Sequence, residues 1–236
     1  MSELSNKYGL SIRFSSDGFS LSISDEQGML ISSRKIASSV FSLKQDNIVD
    51  ILSSIEELNI VYNTTRLICE IDTYVIVPDK LFDENHAEEF VRAQHPYRKP
   101  EGKIVWNNLL AWNATIAFAL PEELFGVLNG TFPEIEIEHH LFAFVNDFVA
   151  LQNNTSIFVV DRNTKLDVIV IKQGNLQLVN TFAYSTKEDF LYQVLNIYTI
   201  FALDMEQCPL KIYFEKQKPE FKDLLKKYIG NVLNCE

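Results

Sequence analysis

Polar and apolar positions alternate along residues 8–36, and two turn signals interrupt the alternation. Leu10, Ile12 and Phe14 stand against Ser11, Arg13 and Ser15. Phe19, Leu21 and Ile23 repeat the pattern after Asp17-Gly18, and residues 29–36 run back after Glu26-Gln27-Gly28. A period of two with turn residues between the runs predicts a three-strand meander. One face is buried and the other is rich in serine. The period then changes. Ile48, Ile51, Leu52, Ile55 and Leu58 recur at helical spacing, which predicts a helix over 46–59 with Asp46 or Asn47 as its cap. Residues 66–70 and 74–77 predict short strands, the second stopped by Pro78. A helix over 83–94 carries acids in its first turn, and Pro96 and Pro100 close that region. Residues 103–110 and 113–120 predict strands, and Pro121 at the first helical position opens a helix over 122–129. The alternation Glu-Ile-Glu-Ile-Glu predicts a strand over 134–138, and 141–151 predicts an apolar helix.

After the loop Gln152-Asn153-Asn154 the opening pattern returns. Residues 156–160, 166–171 and 176–183 predict three strands, separated by turns at 161–164 and Gln173-Gly174. A long helix over 187–203 follows, then a strand over 210–214 and a closing helix over 220–229. Each part therefore reads as three strands, a helix, a strand and a helix. Gln27-Gly28 and Gln173-Gly174 occupy the same second turn.

This order resembles the duplicated ribonuclease H-like unit of the actin-like ATPases. The middle segment, NATIAFALPEELFGVLNGTFPEIEIEHHLFAFVND, is similar to the one that type IV pilus assembly and type II secretion members carry between their halves. The chain also resembles an uncharacterised Bacteroidetes family described as having an actin-like ATPase fold. The resemblance implies an α/β chain with two mixed βββαβα halves, residues 1–152 and 153–236, and a small inserted subdomain at about 83–112.

Charge and cysteine content narrow the function classes. The formal net charge is −11. An acidic chain repels phosphate backbones, so no nucleic-acid partner is expected. No apolar run approaches the ~20 residues that span a bilayer, and the first residues show no basic-then-apolar leader. A cytoplasmic chain without a transmembrane segment is the expectation. Cys69, Cys208 and Cys235 are odd in number and widely spaced, which fits reduced thiols. Cys69 stands in an apolar run and is expected to be a small buried residue.

The resemblance also says where chemistry would sit. Actin-like ATPases grip ATP with Asp-x-Gly turns after the first strand of each half, where glycine lets backbone N–H groups approach phosphate and carboxylates organise Mg²⁺. Here the first turn reads Arg13-Phe14-Ser15-Ser16-Asp17-Gly18, with no carboxylate ending the strand. The second has Asp161 at the strand end and Thr164 beyond it, but Arg162-Asn163 fills the glycine position. The adenosine contact of that class is a Gly-Gly pair after a late strand, and here Glu215-Lys216 follows Phe214. These departures predict no catalytic residue, no metal and no nucleotide cofactor. The expected role is a non-catalytic binding or scaffold protein with a degenerate nucleotide site. The alternative is an atypical nucleotide-dependent switch built on Asp161, Thr164 and Asp17, or a subunit of a pilus-like or secretion-like assembly.

Three other constellations are candidates. Glu136, Glu138 and His140 share one face of the expected strand at a spacing that suits a metal, with a solvated strand face as the plainer reading. Arg98 and Tyr97 lie among prolines with Trp106 nearby, the composition of a protein contact. Lys218, Lys222 and Lys226 recur at i+4 on the closing helix, either as a solvated face or as a docking stripe. A protein partner is therefore expected, through Tyr97, Arg98, Trp106, Lys222 and Lys226.

Overall fold

In the computed structural model, which describes residues 7–97, 101–148, 154–214, 216 and 218–235, the first alternating stretch forms β1 (Gly9–Ser15), β2 (Gly18–Ser24) and β3 (Leu30–Ile36). β1 pairs antiparallel with β2, placing Phe14 opposite Phe19, and β2 pairs antiparallel with β3. The period-two pattern settles which face is buried: Leu10, Ile12, Phe14, Phe19 and Leu21 lie in the core. Helix α1 (Gln45–Ser53) adds Ile48 and Leu52 to that core. Each such side chain contributes about 1.5–3 kcal/mol by leaving water. The helix stops before residue 59 because the Ser53 and Ser54 hydroxyls donate back to the carbonyls of Val49 and Ile51, both at 2.7 Å. A short 3-10 turn, Glu56–Asn59, takes the remainder. β4 (Thr64–Cys69) then joins β1 in parallel, with Leu67 beside Ile12 and Cys69 buried.

A second sheet is inserted next. It comprises β5 (Tyr74–Pro78), β6 (Lys103–Leu109) and β7 (Ala114–Leu120), all antiparallel, with β7 in the centre. Its strands lie on both sides of helix α2 (Ala87–Gln94) and are the apolar runs that the sequence predicts as strands. Helix α2 buries Val91. A 3-10 turn, Glu84–His86, precedes it, capped by the Asp83 carboxylate on the Asn85 N–H. Asn113 does not begin β7: its φ of 48° places it in the left-handed turn between β6 and β7.

Pro121 precedes α3 (Glu122–Thr131) as its cap, one position earlier than expected. β8 (Ile137–His139) is shorter and later than the alternation at 134–138 predicts. Its position follows from Asn107 on β6. The Asn107 side-chain amide donates to Ile137 O at 3.0 Å, and its carbonyl accepts from His139 N–H at 2.8 Å. These bonds occupy backbone groups of β8, which ends the sheet β3-β2-β1-β4-β8. The expected helix at 141–151 is described only as far as residue 148, where Phe144–Phe148 forms a π-helical turn. Residues 149–151 and the boundary loop at 152–153 lie outside the described residues.

The chain divides into two units, Met1–Asn146 and Asp147–Glu236. The second holds β9 (Ser156–Asp161), β10 (Lys165–Lys172), β11 (Asn175–Ala183), α4 (Lys187–Ile200), β12 (Leu210–Phe214), α5 (Pro219–Leu225) and β13 (Val232–Asn234). Its sheet order, β11-β10-β9-β12-β13, matches the order of the first sheet position for position. A capping box of Thr186 and Asp189 starts α4. That helix ends at Ile200 rather than 203, since Ala202 turns left-handed (φ 49°). The Lys172 ammonium donates to Phe201 O there. Phe190, Val194, Ile197 and Tyr198 pack α4 on the apolar residues of β9, β10 and β12. Helix α5 closes at Leu225, short of 229, and its chain goes on to the unexpected β13. Among the described residues no helix is long and apolar enough to cross a membrane.

Candidate functional site

Asp161 ends β9, the central strand of the second sheet, with β10 on one side and β12 on the other. Its side chain is fully buried. A lone carboxylate there would carry a large desolvation cost, so the surroundings must compensate. They do so with two groups from distant stretches. Tyr184, just past β11, donates its phenol to Oδ1 at 2.5 Å. Lys218, at the start of α5, places its ammonium 2.8 Å from Oδ2. That contact is a charge contact; no aligned hydrogen bond reaches Oδ2 among the described residues. The same ammonium donates to the Tyr184 oxygen at 2.6 Å and to Asn163 O at 3.1 Å. It also lies 5.3 Å from the Tyr184 ring centre and 5.1 Å from that of Phe221, so aromatic faces complete its shell.

The turn itself is closed by side chains. Arg162 sends Nε to Asp167 Oδ2 at 2.7 Å and Nη2 to Oδ1 at 2.9 Å, a two-pronged pair that is almost wholly buried. Thr181 donates to the same carboxylate at 2.6 Å. Asn163 takes the left-handed conformation (φ 69°) that glycine would fill without strain. Its carbonyl accepts from Lys218 and lies 2.6 Å from the Tyr184 oxygen, sharing the single phenol proton with Asp161 Oδ1. Burial, together with the bond to Asp161, raises the Tyr184 phenol far above the ordinary tyrosine range. The phenol therefore remains a donor at any physiological pH. The result is a carboxylate neutralised by the chain's own lysine, beside a turn whose backbone is already in use.

The corresponding turn of the first unit is different. Asp17 is exposed, accepts from the Ser15 hydroxyl at 2.6 Å, and pairs with Lys35 at 2.8 Å. The Lys35 bond first, then Ser15, hold its carboxyl below the usual range. Gly18 is required by close approach: at φ 141° a Cβ would stand 2.1 Å from Ile36 O. Arg13 reaches Glu70, the residue after β4, at 2.5 Å. Asp17 and Asp161 thus sit in turns of separate units, each beside a lysine.

Of the other residues singled out in the sequence, Thr164 is exposed, and its backbone closes the turn through N–H to Arg162 O and O to Tyr184 N–H. Lys218 leaves the supposed lysine stripe for the Asp161 site. Lys222 is half-buried on α5, and Lys226 falls in the turn after it. Tyr97 is 99% exposed. Trp106 is half-buried against Phe82, ring centres 5.9 Å apart. Arg98 lies outside the described residues, as does Glu215, and Lys216 is exposed. The Glu136, Glu138 and His140 face does not form. Glu138 pairs with Arg66, Glu136 accepts from Asn107, and His140 is buried. His139 is buried too, with Leu141 N–H donating to Nδ1 and Nε2 lying 2.8 Å from Ile71 O. Since Nδ1 accepts, Nε2 carries the proton and the ring is neutral. No cluster of three or more metal-ligating side chains occurs among the described residues. Lys218, Tyr184, Arg162 and Asp167 are the members of the site that sequence reasoning missed; only the position of Asp161 at a strand end pointed toward it.

Comparison with known proteins bears on the fold. A family model described as "Protein of unknown function (DUF3822)" matches residues 2–232. A Bacteroides thetaiotaomicron protein, described as having an actin-like ATPase fold and unknown function, is similar at a TM-score of 0.81 with 23% identity, covering 99% of this chain and 93% of that one. The PilM–PilN type IV pilus biogenesis complex includes a chain similar at 0.57 with 11% identity, over 97% and 88%. The ethanolamine utilization protein EutJ of Carboxydothermus hydrogenoformans is similar at 0.50 with 11% identity, over 96% and 84%. No curated protein matches.

Proposed function

The chain belongs to the DUF3822 family and has the actin-like ATPase fold, and we propose that it is a non-catalytic binding or scaffold member of that fold whose nucleotide site is closed from within. One observation carries this reading: the Lys218 ammonium stands 2.8 Å from Oδ2 of the buried Asp161. In the ATPases of this fold a strand-end carboxylate organises hydrated Mg²⁺. Here the cation is covalently part of the chain. The Asn163 carbonyl and the Tyr184 phenol are bound to it as well, so a metal hydrate would have to displace three contacts at once. Arg162 supports the same reading, because with Asn163 it fills the turn where the fold's ATPases carry glycine, and its side chain is held by Asp167. The two sheets of like strand order are two halves of one duplicated unit, about 1–152 and 153–236.

With nucleotide chemistry closed, binding remains. The turn after α2 presents the fully exposed Tyr97, β6 presents the partly exposed Trp106, and Arg98 follows Tyr97 in sequence. Lys222 and Lys226 are candidate contacts on the second unit. A similar solved structure is itself a complex of two proteins, which supports a protein partner. The test is a thermal melt with millimolar MgATP against matched salt. No shift beyond the salt control is expected. Binding at a hundred times Kd would add about 2.7 kcal/mol, and a shift of that order would overturn the reading.

A further inference from the structure

Within the first unit, a cleft of 490 Å³ opens between the loop before α2 and strand β6. Phe82 and Trp106 line it as a tilted aromatic pair. Asp83, Glu84, Asn85 and Asn108 complete the lining, and none of the six is basic. Each polar wall has a fixed geometry. The Asp83 carboxylate accepts from the Asn85 N–H at 2.9 Å and lies 3.0 Å from His86 Nδ1. Those bonds, the Asn85 N–H foremost, hold it ionised by lowering its pKa. On the opposite side the Thr115 hydroxyl, bonded to Asp79 at 2.9 Å, lies 3.3 Å from the Asn108 side-chain oxygen. Glu84 is exposed and forms no ion pair among the described residues.

Aromatic faces next to carboxylates attract a positive charge on a flexible apolar stem. The ring quadrupoles and the carboxylates act on the charge, while the stem lies on the rings. The volume falls in the range of sites that take small groups. We infer that the cleft lined by Phe82, Asp83, Glu84 and Trp106 receives a lysine or arginine side chain from a basic segment of a partner protein. Charge complementarity selects that occupant: the cleft is acidic, and the whole chain carries −11. The inference rests on the binding role proposed above and names the chemistry of the partner.

The test uses the whole protein and a tetralysine peptide as probe, at low ionic strength, with tryptophan fluorescence and calorimetry as readouts. Saturable binding with a fluorescence change is expected. Glu84→Gln should weaken it about fivefold or more, and Trp106→Leu likewise. Glu122→Gln, an exposed acid at the start of α3, should leave it unchanged. The same peptide with every lysine acetylated should not bind. Absence of binding overturns the inference. So does equal loss in Glu84→Gln and Glu122→Gln, which marks attraction to net charge alone, and so does equal binding of the acetylated peptide. Should Trp106→Leu fail to fold, the two glutamate variants decide. A melting shift with MgATP would overturn the closed nucleotide site and leave the tetralysine result standing, so the two failures are distinguishable.

Discussion

The two strand-end turns occupy matching places in sheets of identical strand order, yet they hold their carboxylates in opposite ways. Asp17 is 67% exposed and its lysine partner is exposed too. Asp161 is 0% exposed and its lysine partner only 13%. Water does most of the work of stabilising the first carboxylate, and the protein does all of it for the second. The same pair of residue types is therefore a surface decoration in one unit and a structural keystone in the other. What differs is dielectric surroundings rather than chemistry.

That contrast can be broken by mutation, and the largest effect is expected at Arg162. Arg162→Ala removes the two-pronged guanidinium pair from the fully buried Asp167, and denaturant unfolding should show a loss of about 3–5 kcal/mol. Lys218→Met comes next. It retains much of the stem's packing on Tyr184 and Phe221 but removes the charge from Asp161, for a loss of about 2–4 kcal/mol by the same measurement. If Lys218→Met unfolds no more easily than the parent, Asp161 has another means of compensation and the keystone reading fails.

Tyr184→Phe sharpens the comparison at constant shape. It removes one donor to Asp161 and one acceptor for Lys218, with an expected loss of about 1–3 kcal/mol. It also carries a pH signature. The folded-state pKa of Tyr184 is raised, so its contribution to stability is complete below the unfolded value near pH 10 and is lost as pH rises toward the folded one. Alkaline unfolding curves of parent and variant should therefore converge above about pH 10.

Asp17→Asn should cost least, at most about 1 kcal/mol near neutrality. Here the folded pKa is depressed, chiefly by the Lys35 bond. The contribution is present above the unfolded value near pH 4 and disappears as pH falls through the folded value. Parent and variant should thus differ at pH 7 and coincide in strong acid. A difference larger than that of Lys218→Met would invert the comparison.

Much of the fold was legible because period-two alternation is a local signal. β1 and β2 emerged from it, β10 and β11 emerged as apolar runs bounded by turn signals, and α4 emerged from its helical spacing. What stayed hidden depended on partners far along the chain. β8 settles at Ile137–His139 because Asn107 bonds there, which no window around Glu134 reveals. β13 has three residues, too few for a period. In α1 the serine pair ended a pattern that apolar spacing alone extended. The site divides likewise. Asp161 was legible as a carboxylate ending a strand. Lys218 read as one lysine in a stripe, because its i+4 spacing to Lys222 and Lys226 was a stronger local cue than a pairing visible only in three dimensions.

Asn107 has a consequence of its own. An edge strand with free N–H and C=O groups is a template on which another chain can grow. At β8 a single side-chain amide takes up Ile137 O and His139 N–H, as a further strand would. One asparagine thus acts as a plug in the edge of the first sheet. The opposite edge, β3, relies on Arg34 and Lys35 instead, charges that a growing fibril would have to bury. The first sheet guards its two borders against self-templated aggregation by different means, an amide at one and cations at the other.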